Sequence, residues 1–116
     1  MKIVWESIAQ EIVPSLRAMI AKELIASYNL NQTEAARLMG VSQPAVSQYL
    51  RRLRGKNDAL FSDKEIVEEA KKLAAILHDR KLGREELSNE FAALCKFAAG
   101  RAAPMKIREP NPPSRL

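Results

Sequence analysis

The stretch NQTEAARLMGVSQPAVSQYLRRLR, from Asn31 to Arg54, admits few backbone paths. Asn31 is a short polar residue able to accept from a free helix-start N–H, and Glu34, three positions on, can return a bond to the Asn31 backbone. That pairing opens a short helix running to Met39. Gly40 supplies the positive φ that a tight turn often needs. Ser42 is a second cap, and Pro44 falls in the first turn behind it, where a missing N–H costs little. A second short helix follows through Val46, Tyr49, Leu50 and Leu53 to about Arg54, with Gly55, Asn57 and Asp58 marking a loop. Ala36 is small enough for the second backbone to approach. Ala35, Met39, Val41, Val46 and Tyr49 have the offsets that fill the space between two steeply crossing helices. An ordinary helical hairpin is the alternative, but caps, small residue, glycine and apolar offsets all agree on the crossed pair.

The rest of the chain repeats apolar residues at helical spacing and nowhere alternates as a strand does, which predicts an all-α fold of about six helices. Val4, Ile8 and Ile12, with Trp5 beside them, mark a first helix over residues 2–13. Pro14 either opens a new helix in its first turn or sits in a continuous one; the reading taken is a new helix from Pro14 to Tyr28. Its inner face is Leu16, Met19, Ile20, Leu24 and Ile25. Ser62 and Glu65 form a capping-box pattern ahead of a stripe of Ile66, Ala70, Leu73 and Leu77. The pattern breaks around Lys81–Gly83. A last helix from about Arg84 carries Leu87, Phe91, Leu94 and Ala98, with Gly100 as its C′ residue. Beyond it, Pro104, Pro110, Pro112 and Pro113 among scattered charges read as a disordered tail over residues 102–116.

Charge is unevenly placed. The 116 residues carry a formal net charge of +5. From Gln32 to Lys56 the bases are Arg37, Arg51, Arg52, Arg54 and Lys56, and Glu34 is the single acid. From Asn57 to Gly100 acids slightly outnumber bases, and the tail is basic again. Basic stripes of this kind suit a polyanion such as nucleic acid.

Other function classes have little to stand on. Cys95 is the one cysteine, which excludes an intramolecular disulfide and a Cys-rich zinc site and reads as a core thiol of a cytoplasmic protein. No phosphate-binding glycine loop, metal-ligand spacing or nucleophile motif occurs, so neither an enzyme nor a cofactor is expected. His78 lacks an oriented partner, and Glu68-Glu69 and Glu85-Glu86 read as solvated faces. The N-terminal MKIVWESIAQE is interrupted by polar residues, and no signal peptide or membrane segment is expected.

The run NQTEAARLMGVSQPAVSQYL resembles the helix-turn-helix of the lambda-repressor-like (Cro/repressor) superfamily. The longer run from IVPSLRAMIAKEL through SQPAVSQYLRRLRG is similar to a group of archaeal transcriptional regulators. The resemblance covers about residues 12–55. It implies a DNA-binding domain over residues 1–56, and it implies that Gln32 braces Gln43. Residues 57–101 then form a C-terminal helical dimerisation region.

In such a motif the second helix enters the major groove with its N-terminal residues toward the bases. Gln43 and Gln48 carry paired amide groups suited to adenine N6 and N7, and Ser47 suits a base edge or a phosphate. Pro44 offers apolar contact to a thymine methyl. Gln32 stands at a helix start, where free N–H groups favour phosphate, and Ser42, the cap of the second helix, is also expected at the DNA. Arg51, Arg52 and Arg54 are placed for phosphates and salt-sensitive affinity. The expectation is a sequence-specific regulator that binds double-stranded DNA as a homodimer on a pseudo-palindromic site. In it, the later of the two C-terminal stripes is left for the partner subunit; the alternative is that the two stripes pack on each other within one chain. The competing readings are an antitoxin-like autoregulator whose tail binds a protein partner, or a protein-interaction module. The sequence names no small-molecule or protein effector.

Overall fold

A computed structural model describes the backbone of residues 3–55, 59–80 and 82–108, and the side chains of 10, 12–53, 61–80 and 82–101. The order is α1 (Ile3–Tyr28), α2 (Gln32–Met39), α3 (Gln43–Gly55), a single turn α4 (Ala59–Ser62), α5 (Lys64–Arg80) and α6 (Arg84–Arg108). No strand occurs among the described residues. The architecture is all-α, with five helices of two turns or more rather than about six.

The count falls because the two expected N-terminal helices are one, with Pro14 inside it. A proline there removes one backbone bond. Ile12, Ser15 and Leu16, on both sides of the ring, are nevertheless buried. Breaking the helix would pull one of these groups out of the interior. Further along α1, Leu16, Ala18, Met19, Ile20, Ala21 and Leu24 are buried around nearly the whole circumference. A helix buried over most of its circumference is a central one, and α1 packs against α2, α3, α5 and α6.

The buried residues form one cluster drawn from α1, α2, α3, α5 and α6. The α5 stripe of Ile66, Ala70, Leu73 and Leu77 is buried as expected. The later stripe is largely covered within the chain. Leu94 is 6% and Ala98 0% exposed within the single chain, and Phe91 is half-buried against the same core. The reason is that α6 has two neighbours, α1 and α5, and covers both.

Three boundaries also move. The cap of α5 is Asp63, not Ser62: its Oδ1 accepts from the N–H of Glu65 at 3.0 Å and of Ile66 at 3.3 Å. Its Oδ2 meets Arg101 Nε at 2.9 Å. A carboxylate that caps one helix and ties down another outcompetes a serine one residue earlier. Gly100 is inside α6 rather than past its end, because Ala99 before it is buried and Arg101 after it is held by Asp63. The helix therefore continues through residues 102–108, which were expected to begin the tail. Residues 109–116 lie outside the described residues, as do the expected loop at Asn57 and Asp58 and the Trp5 side chain.

Candidate nucleic-acid interface

The α2–α3 unit is built by local chemistry. Asn31 Oδ1 accepts from the Glu34 N–H at 2.8 Å, and Glu34 Oε1 accepts from the Asn31 N–H at 2.9 Å. This reciprocal capping box fixes the first residue of α2. At the other end Gly40 has φ 71° and ψ 31°, the left-handed conformation an L side chain rarely adopts. Its N–H meets Arg37 O at 3.2 Å and the Val41 N–H meets Ala36 O at 3.0 Å, which closes the last turn. Ser42 Oγ then accepts from the Ala45 N–H at 3.2 Å, starting α3 one residue later. Ala35, Ala36, Met39 and Val46 are buried between the helices and α1, with Val41 and Tyr49 half-buried beside them.

Burying Val46, with Leu50 and Leu53 partly covered, orients the rest of α3. Gln43, Ser47 and Arg51 are spaced by four and stack along one outward face. Pro44 and Gln48 are exposed beside them. Gln43 Nε2 donates to Gln32 Oε1 across the turn, a short contact between the first residues of α2 and α3. Ser47 Oγ accepts from Arg51 Nη1 at 3.2 Å. Two of the side chains are thus held by neighbours rather than loose. No acid occurs in α3, so the face is polar to basic throughout.

Not every expected residue joins this face. Arg52 is turned to the flank and half-buried, and its Nε is enclosed without a hydrogen-bond partner. The Arg54 side chain lies outside the described residues. Tyr49 is part of the packing: its hydroxyl accepts from Arg17 Nη1 at 3.4 Å. Arg17 in turn lies 5.0 Å above the Phe91 ring, joining α1 to α6.

Elsewhere titrating groups have structural explanations. The hydrogen bond from Arg101 holds the Asp63 carboxyl below the usual carboxylate range, and the same contact pushes the Arg101 guanidinium up. Burial pushes the Cys95 thiol up, against a smaller opposing pull from Arg17. A protonated, half-buried thiol is a poor nucleophile. His78 stacks on Tyr28 with ring centres 4.3 Å apart. No helix among the described residues is long and apolar enough to cross a membrane.

The sequence places Arg37 in the basic stripe and gives Arg17 and Arg84 no role. They belong to α1, α2 and α6, yet they line one cavity. No spacing signal joins residues brought together only by the packing of three helices. Compared with protein-family models, curated proteins and solved structures, the chain finds no match.

Proposed function

We propose that this protein is a sequence-specific DNA-binding transcriptional regulator that lays the outward face of α3 into the major groove. The observation that carries the reading is the face itself. Gln43, Ser47 and Arg51 stand in register with Pro44 and Gln48 beside them, no acid intervenes, and Gln43 is steadied by Gln32. An amide with its orientation fixed in advance loses less freedom when it pairs with adenine N6 and N7. On this reading Gln43 and Gln48 contact bases, and Ser47 and Pro44 lie against the base edges. Arg51 meets phosphate, while Gln32 and Ser42, at two helix starts, guide the backbone. The lambda-repressor-like resemblance of the same residues points the same way.

One α3 spans only a few base pairs, so the proposed regulator acts as a homodimer with half-sites about one helical turn apart. Its interface is not the Leu94 stripe, which is interior. Phe97, 37% exposed, is the large apolar side chain still open to solvent among the described residues. The protein works in the cytoplasm and without catalytic chemistry of its own.

The test is fluorescence anisotropy of a labelled random duplex titrated with the full chain over a salt series. The logarithm of the binding constant should fall linearly with the logarithm of salt. Arg51→Ala should make the slope shallower by about one. Binding without salt dependence, or no binding at low salt, ends the reading.

A further inference from the structure

At the α2–α3 turn, α1, α2, α5 and α6 border an open cavity of about 550 Å³. Its lining mixes polar and apolar groups: Ile20 and Leu77 are buried at its base, Phe91 and Leu87 are partly open, and Leu87 lies beside Gly40. Arg17, Arg37 and Arg84 share the lining, with the Arg17 guanidinium over the Phe91 ring, and no Asp or Glu does. The nearest acid on α2, Glu34, is occupied by the Asn31 N–H. Among the described residues none of the three arginines has an ion-pair partner; Arg17 is engaged only by Tyr49 and the Phe91 ring. Arg84 is moreover the first residue of α6, where the helix dipole disfavours a cation.

Three arginines with no ion-pair partner among the described residues, set beside apolar side chains, describe their complement. We infer that the cavity is a binding site for a small organic anion, a carboxylate carrying an aliphatic or aromatic body. Its size falls in the range of pockets that take such molecules, roughly 300–1,000 Å³. Guanidinium groups pair with a carboxylate through two parallel hydrogen bonds, while the partly open Leu82, Leu87 and Phe91 take the apolar body out of water. A bare phosphate uses only the arginines and leaves those side chains wet. A neutral ligand leaves the arginines unpaired. The site stands whether or not α3 reads DNA.

The experiment is a titration of the ¹⁵N-labelled full chain, without DNA, followed by amide chemical shifts. Three probes separate the contributions: octanoate has charge and chain, octanamide has the chain alone, and inorganic phosphate has the charge alone. Octanoate should move the amides of Gly40, Val41, Leu87 and Ser88 saturably, with an affinity about tenfold or more above either control. Arg37→Gln with Arg84→Gln should abolish that advantage and leave the octanamide response as it was. Both side chains are exposed at helix surfaces; if the pair disturbs the spectrum, Arg84→Gln alone should remove most of the advantage. Octanamide binding as tightly as octanoate, phosphate moving the same amides as strongly, or octanoate leaving these amides still would each overturn the inference.

Discussion

Helices α3 and α5 are alike in construction and opposite in surface. Each buries an apolar stripe, Val46 with Leu50 and Leu53 partly covered in one and Ile66, Ala70, Leu73 and Leu77 in the other. On α5 the remaining positions balance: Lys64, Lys71, Lys72 and Arg80 against Glu65, Glu68, Glu69 and Asp79. Lys72 and Glu69 pair at 3.2 Å. α3 contains no acid, and on its outward face Arg51 stands with the amides of Gln43 and Gln48 and the hydroxyl of Ser47. Amphipathicity therefore tells which side of a helix enters the core and nothing about what meets the other side. The sign and chemistry of the outward face carry that information: a balanced face is satisfied by water and by itself, a one-signed face invites a polyanion.

The largest expected effect tests the buried side of the comparison. Leu94→Glu puts a charge where the wild-type side chain is 6% exposed and should destabilise the single chain by about 4 kcal/mol or more, read from the urea midpoint. If the variant stays as stable and only its sedimentation changes, the later stripe is an intersubunit surface after all. Next comes the outward side. Gln43→Ala should lower the preference for a selected site over random DNA by about 2 kcal/mol, one lost bidentate contact. Gln32→Ala should cost less, since it removes the brace and not the contact. Glu68→Ala on α5 should change nothing, and equal losses from α3 and α5 in competition anisotropy would erase the distinction between the faces.

A smaller effect belongs to the turn that joins α2 to α3. Gly40→Ala forces an L side chain to φ 71° and should cost about 1 kcal/mol in a denaturant titration. The new methyl meets Leu87 Cδ2 at 3.4 Å, a contact that needs little adjustment, so a loss much beyond the conformational strain would mean that α6 is braced against this turn. The smallest effect is at Asp63. Its carboxyl is held low by Arg101, so its contribution is present above the ordinary carboxylate range and is lost as pH falls through the lowered value. Arg101→Gln should weaken this dependence on the acid limb of a thermal-midpoint profile and leave neutral pH nearly untouched. A profile unchanged on the acid side would show that the pair contributes nothing measurable.

Much of the α2–α3 unit was legible because its instructions are local. The box between Asn31 and Glu34, the left-handed stop at Gly40 and the cap from Ser42 each act over four residues or fewer, and every partner lies in the same turn. The outward face of α3 follows from helical spacing once Val46 is known to point inward. Where reading by pattern failed, two local options were close in energy and a distant segment chose between them. Ser62 and Asp63 could each cap α5, and Arg101 from α6 favoured Asp63. Pro14 and Gly100 are local invitations to stop a helix, overridden because the buried side chains beside them enter a core made by other helices.

The sequence by itself determined that the chain is helical, where α2 and α3 begin and end, and which side of each helix is apolar. These are properties of hydrogen bonds and periodicities that close within a turn. Only the tertiary structure decided that α1 runs unbroken through the middle, that the Leu94 stripe is spent inside the chain, and that Arg17, Arg37 and Arg84 face one cavity. Each of these depends on which apolar surfaces remain uncovered after the others have paired. Burial is non-directional, so it is settled by competition among all the helices at once, and no single stretch of sequence contains its outcome.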